Sequence, residues 1–229
     1  MRDEETCDAA YRSVAPKVTR VTAPLDLSAP RLVLASASPR RLMLLRQIGL
    51  EPHGIVSTEI DERPRPQELP GDYASRLARE KAEAARSSGV VKGVPPPFCI
   101  LAADTVVAVG RRILPKAQTE RDVRSCLALM SGRRHRVITA LCVATDQGDV
   151  RLRGVVSAVR FKRLSKWEID RYCDGGEGLG KAGGYAIQGM AAAFVPWLSG
   201  SYSNIVGLPL YETAQLLGSF GLRPGPARS

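Results

Sequence analysis

The sequence predicts an α/β protein, and three features carry that expectation. A strand–loop–helix unit opens at Leu32, an amphipathic helix follows from about Asp72, and a nearly continuous apolar strand runs from Phe98 to Val109. Strands and helices thus alternate along 229 residues, a length that buries a substantial core. Hydrophobic content of 44% and charged content of 24% are ordinary for a soluble globular protein.

In the first unit, Leu32 to Ala35 reads as a buried strand, and Ser36 and Ser38 follow it. Ser38 suits an N-cap and Pro39 the first helical position; Leu42, Leu45 and Ile48 continue the apolar face until Gly49 ends it. Arg40 and Arg41 stand in the first turn, where a helix prefers acidic side chains. Two readings stay open. Hydroxyls, free N–H groups and guanidinium forks make a receptor for an anion such as phosphate, or both arginines simply point into solvent.

Upstream, residues 1–30 are polar and of mixed charge, with Pro16, Pro24 and Pro30, which predicts a flexible or loosely docked extension. Downstream, Gly54 to Ile60 reads as a second strand leading into a proline-punctuated loop, Asp61 to Pro66. Asp61 and Glu62 there are either metal or substrate ligands or solvated loop charges. The helix from about Asp72 to Arg86 carries the stripe Ala74, Leu77, Ala78, Lys81, Ala82, Ala85. Lys81 inside that stripe either snorkels to a rim or points into a site that wants a cation.

Ser87 to Pro97 reads as a loop, and the apolar strand after it is interrupted by Asp104. Burying an unpaired carboxylate is costly, so a metal, a lysine, backbone donors or an open strand end must compensate. Metal binding or general-base chemistry is the expectation for Asp104. Thr119 with Asp122 predicts a capped helix that buries Val123, Cys126, Leu127 and Met130 before Gly132. His135, among Arg133, Arg134 and Arg136, is expected in a basic surface loop. Two strands, Arg136 to Thr145 and Val150 to Arg163, are joined at Asp146-Gln147-Gly148-Asp149, a hairpin signal.

Ser165 with Glu168 opens a short helix through about Cys173. Seven glycines then crowd residues 175–189, with Lys181 and Gln188 as polar members of a segment that permits close approach to a ligand. The spacing is not that of a Walker loop. Phe194 to Leu198 reads as a further strand, and Leu208 to Phe220, with Pro209 in its first turn, as the closing helix.

Composition narrows the function. The five cysteines are scattered without a C-x-x-C pair, which argues against structural zinc and a disulfide framework. With two histidines far apart, any catalytic metal is expected to be a hard cation on oxygen ligands, such as Mg²⁺. The net charge of +10 suits small polyanions, but dispersed arginines and 5% aromatic content argue against a dedicated nucleic-acid binder. No apolar run spans a bilayer and no secretory signal opens the chain, so a cytoplasmic location is expected.

Taken together, four motifs resemble the Maf family of nucleoside triphosphate pyrophosphatases over roughly Arg31 to Arg223. They are Ala-Ser-Ala-Ser-Pro-Arg-Arg at 35–41, Leu-Ala-Arg-Glu-Lys-Ala at 77–82, Ala-Asp-Thr-Val-Val at 103–107 and Lys-Ala-Gly-Gly-Tyr-Ala-Ile-Gln-Gly at 181–189. The stretch Gly-Ser-Tyr-Ser-Asn-Ile-Val-Gly-Leu-Pro-Leu at 200–210 is similar as well. The resemblance implies a single elongated mixed α/β domain, Maf/ITPase-like, around a central substrate cleft over residues 31–223, with a tail at 224–229 and often a homodimer. It implies metal-dependent cleavage between the α- and β-phosphates of dTTP, UTP or modified pyrimidine nucleotides, with Mg²⁺ or Mn²⁺. Asp104 would be the general base. Ser36, Arg40, Arg41, Lys81 and Lys116 would hold phosphates, Glu62 and Asp104 would stand at the metal, and Arg40, Thr105 and Gln188 would set specificity. Two alternatives remain: a branch acting on 7-methyl-GTP, and a regulatory inhibitor of septum formation that acts by binding. The family usually has proline after the lysine at 116, where this chain has Ala117 and a preceding Pro115, which puts that loop's geometry in question.

Overall fold

One mixed sheet organises the structure, a computed structural model that describes residues 29–226. The extension expected over residues 1–30 lies outside the described residues except for its last two, as do residues 227–229 of the tail. The strands are β1 (Arg31–Ala35), β2 (Gly54–Ile55), β3 (Phe98–Val109), β4 (Arg112–Leu114), β5 (Arg134–Thr145), β6 (Val150–Arg160) and β7 (Trp197–Ser199). The helices are α1 (Pro39–Gln47), α2 (Pro70–Arg86), α3 (Gly89–Lys92), α4 (Glu120–Met130), α5 (Lys166–Asp174), α6 (Tyr202–Val206) and α7 (Leu210–Gly218). Strand order is β2-β1-β3-β5-β6-β7, with β4 also on β3. β1 runs parallel to β2 and β3, and the remaining pairings are antiparallel.

β3 and β5 are apolar almost throughout because both of their faces are covered. On one face, the alanine-rich stripe of α2 brings Tyr73, Ala74, Leu77 and Ala78 against Val33, Ile100, Ala102 and Cys142. On the other, Leu45 of α1, Leu127 and Met130 of α4, Tyr172 of α5 and Leu217 of α7 join Leu34, Leu101 and Leu141 in a second core.

What positions the site is a gap in the sheet. One edge of β3 pairs with β5 from Cys99 to Ala108. On its other edge, β1 ends opposite Ala102, and antiparallel β4 ends at Leu114 opposite Val107. Ala103 to Val106 therefore lack a strand partner on that edge, just beyond the carboxyl end of parallel strand β1, where open α/β sheets offer a crevice. Successive side chains of a strand point to opposite faces. Asp104 shares the α2 face with Ile100 and Val106, and Thr105 lies on the face of Ala103 and Val107.

Several boundaries differ from the sequence expectation for identifiable reasons. The second strand stops at Ile55 rather than Ile60, because β1 ends at Ala35 and leaves it nothing to pair with beyond the Val56 N–H bond to the Leu34 carbonyl at 2.9 Å. α2 begins at Pro70, not Asp72, since proline occupies its first turn. The expected loop at 87–97 contains α3, capped by Ser88. Phe194 closes a 3-10 turn, Met190–Phe194, instead of starting a strand, because its ring packs edge-on against Tyr172 and Phe161. The closing helix is shorter than expected, with α6 ahead of it capped by Ser201. The capping boxes at Thr119 and Ser165 are present.

His135 is not in a surface loop. It lies within β5, where Arg134 and Arg136 alternate outward and the imidazole turns inward at 2% exposure. Its Nε2 stands 2.8 Å from the Tyr185 hydroxyl, and its ring meets the edges of Phe161 and Tyr185. Burial pushes its pKa down to about 4. The imidazole is thus neutral in the fold, while the unfolded chain takes up a proton as the pH falls through about 6.5. Its share of stability is complete above that pH and declines toward about 4, by about 1.4 kcal/mol per pH unit. Urea unfolding across this window is expected to show that slope in the wild type and a shallower one in His135→Phe.

Candidate active site

A cleft of about 310 Å³ opens at the gap in β3 and reaches both faces of the sheet edge. Five cationic side chains line it, Arg40, Arg41, Lys81, Lys116 and Lys181, against the carboxylates Glu62 and Asp104. On the α2 face, Asp104 is 3% exposed and Lys81 is 7% exposed. Lys81 Nζ donates to Asp104 Oδ1 at 2.5 Å and stands 2.8 Å from Glu62 Oε1. Glu62 Oε2 accepts from Lys116 Nζ. The four groups form an alternating chain of charges from the buried strand to the rim. Burial pushes the Glu62 carboxyl up, but its bonds to Lys116 and Lys81 outweigh that and leave its pKa below the usual value.

The loop carrying Glu62 is fastened to α2. Tyr73 donates its hydroxyl to the Glu62 carbonyl at 2.5 Å. Arg76 binds both Glu68 oxygens, at 2.7 and 2.8 Å, and donates to the Arg63 carbonyl. Tyr73, Leu77 and Lys81 are spaced by four along the helix, so the residue that holds Glu62 shares a face with the one that pairs with it. That spacing was readable in the sequence, although the partner in the loop was not. Asp61, by contrast, pairs with Arg63 at the surface and does not reach the cleft.

On the opposite face, Arg41 points inward rather than to solvent. Its Nε donates to the Gly207 carbonyl at 2.9 Å, Nη1 to Ser36 Oγ at 3.1 Å and Nη2 to Thr105 Oγ1 at 3.1 Å. Desolvation lowers its pKa, partly offset by Asp104. Ser36 Oγ also accepts from the Ser38 N–H, so the hydroxyl keeps its own proton for donation. Thr105 continues inward to Thr139 at 3.0 Å, and Thr139 donates to the Asn204 carbonyl at 3.1 Å. Thr139 interrupts an apolar strand as Asp104 does, which is the signal that marks it, and Asn204 stands within the 200–210 stretch.

Arg40, Gln188 and Lys181 line the cleft without a side-chain hydrogen bond among the described residues. Residues 180–183 zip onto residues 115–117. Ala117 N–H donates to the Lys181 carbonyl at 3.1 Å, and Gly180 N–H to the Ala117 carbonyl at 2.7 Å. Proline at 117 would have no N–H for the first of these, so alanine there ties the Lys116 loop down more firmly. Gly183, at φ +67°, passes so close to Val107 that a Cβ would lie 2.8 Å from its side chain.

The donors also bear on a metal. Among the described residues no group of three or more histidine, cysteine or acidic side chains converges. Glu62 and Asp104, both within hydrogen-bond reach of one ammonium, form a two-carboxylate oxygen set. That set fits a hard cation completed by water and ligand phosphates, not a dedicated protein cage.

A mixed α/β sheet whose open edge exposes a buried carboxylate to a cationic cleft defines a protein built to bind a small polyanion. The chain belongs to the Maf family: a family model described as Maf-like protein matches residues 31–220. It is 56% identical over 195 residues to the dTTP/UTP pyrophosphatase of Rhodopseudomonas palustris (strain BisB5), covering 85% of this chain and 94% of that one. It is 57% identical over 194 residues to the dTTP/UTP pyrophosphatase of Rhodospirillum rubrum, covering 85% and 90%. The dITP/XTP pyrophosphatase of Mycobacterium abscessus overlaps 58% of this chain and 74% of its own at 18% identity and a TM-score of 0.37, too loosely to bear on the fold. No helix among the described residues is long and apolar enough to cross a membrane.

Removing one partner from a buried ion pair leaves an uncompensated charge. Lys81→Met is therefore expected to lower unfolding free energy in urea by about 3 kcal/mol. Lys116→Met, whose pair with Glu62 is partly exposed, should stay within about 1 kcal/mol of wild type.

Proposed function

We propose that this chain is a nucleoside triphosphate pyrophosphatase that takes dTTP and UTP and releases the monophosphate and pyrophosphate. The observation that carries the reading is Asp104, a carboxylate interrupting a buried strand at the one stretch where its edge opens on a cationic cleft. The names of the relatives at 56% and 57% identity supply the substrate class.

In this reading Asp104 is the general base. Its Oδ1 is taken by Lys81, while Oδ2 makes no hydrogen bond among the described residues and is free to accept a proton from water. The water oxygen attacks the α-phosphorus, the bond to the bridging oxygen breaks, and pyrophosphate leaves. Lys81 orients Asp104, and with Lys116 offsets charge that grows on the phosphates. Ser36 donates its hydroxyl to a phosphate oxygen. Arg41, with three of its donors committed inside the protein, orders Ser36 and Thr105 and keeps two N–H groups for the ligand. Arg40 and Gln188 line the cleft where a base could be read. Glu62 and Asp104 would hold a divalent cation, Mg²⁺ or Mn²⁺, which supplies charge neutralisation at the phosphates when bound.

Pyrophosphate release from dTTP and UTP with Mg²⁺ or Mn²⁺ tests the reading. Asp104→Asn is expected to reduce kcat by about 10²- to 10⁴-fold while melting like a folded protein. A folded Asp104→Asn variant with wild-type turnover would remove Asp104 from the role of base.

A further inference from the structure

Three of the five cations in the cleft already have acceptors. Arg41 is bonded to Gly207, Ser36 and Thr105, and Lys81 and Lys116 are bonded to carboxylates. Arg40 and Lys181 have none among the described residues, and no carboxylate pairs with either. The two stand close enough that Arg40's charge adds to burial in lowering the Lys181 pKa. Two unpaired cations on the walls of one partly desolvated cleft repel each other, and an anion bound between them relieves that repulsion.

Lys181 is also held in place. Its backbone is fixed by the Ala117 N–H on its carbonyl and by the Gly184 N–H on the same oxygen at 3.0 Å. The flanking Gly180 and Gly183, at φ +68° and +67°, set a turn that residues with side chains adopt only with strain. The ammonium is therefore carried on a braced turn next to Lys116, not on a loose loop. A guanidinium fork and a compact ammonium together complement the oxygens of a phosphoryl group, the first by paired N–H donors and the second as a point charge.

We infer that Lys181, with Arg40, grips a phosphoryl group of the ligand, a substrate-contacting role additional to those of Lys81 and Lys116. The inference rests on the pyrophosphatase reading for the identity of the ligand, but its geometry does not depend on turnover.

Pyrophosphate itself is the probe, with binding to the full-length chain followed by calorimetry. Lys181→Met is expected to weaken binding by roughly tenfold or more, as loss of a charge-assisted bond predicts. Lys181→Arg should recover most of that affinity, both variants should melt with the wild type, and KM for dTTP should rise in Lys181→Met. Unchanged pyrophosphate affinity in Lys181→Met would overturn the inference, as would a wild type that fails to bind pyrophosphate at millimolar concentration. Equal losses in both variants with lowered melting would show a structural role and overturn it too. If pyrophosphate binding depends on Lys181 but the wild type hydrolyses neither dTTP nor UTP, the pyrophosphatase reading falls and this one stands.

Discussion

The bridge from Lys81 to Asp104 and Glu62 is the constraint on which the rest of the structure depends. A carboxylate at 3% exposure is tolerable only if something answers its charge, and the answer comes from a helix rather than from the strand's own sheet. That helix must approach closely, and the run of alanines along α2 allows it. The pair itself is poor evidence of stability, because desolvating two charges largely cancels their attraction. Its value lies in chemistry: it keeps an oriented carboxylate oxygen at the mouth of a cleft. The same ammonium draws in Glu62, whose loop is pinned by Tyr73 and by the Arg76–Glu68 fork, so the acidic pair is assembled before any ligand arrives.

The second organising element is the missing strand partner along Ala103 to Val106. Because neighbouring strand residues face opposite ways, Asp104 and Thr105 place one cleft in contact with both layers of the protein. One side holds the carboxylates and lysines. The other holds Arg41, which links Ser36 of the first loop to Thr105 and to the carbonyl of Gly207, and through Thr105 to Thr139 and Asn204. Asn204 in turn donates to the Val137 carbonyl and to Ser157. A buried polar chain of this kind fixes a single geometry, since each broken link would strand a donor or acceptor away from water.

Much of this was legible in one sequence. Lys81 and Asp104 stood out because each breaks a strictly apolar pattern, and burial makes such breaks costly enough to demand a reason. The strand–loop–helix unit at residues 32–49 followed from local rules, with Pro39 in the first turn and Gly49 at positive φ past the end, although the Ser38 hydroxyl makes no capping hydrogen bond. The two capping boxes and the β5–β6 hairpin followed for the same reason. His135 misled because its arginine neighbours suggested a surface loop, whereas strand alternation alone sends the middle residue inward. Arg40 and Arg41 left two readings open, solvent or an anion site; both line the cleft, and only Arg41 is tied into the protein by its own hydrogen bonds.

By itself the sequence determined the α/β class, the types of most elements and the residues too polar for their surroundings, since each depends on short-range pattern and on the cost of burial. Only the tertiary structure decided which of those residues meet. The gap beside β3 exists because β1 and antiparallel β4 both end at positions set by pairing, and pairing partners are not written in local periodicity. The union of Lys81 with Asp104, of Arg41 with Gly207, and of the Lys181 turn with Ala117 joins segments 23, 166 and 64 positions apart. Contacts at such separations are selected by packing the whole chain, and that selection turned a list of unusual residues into a single cleft.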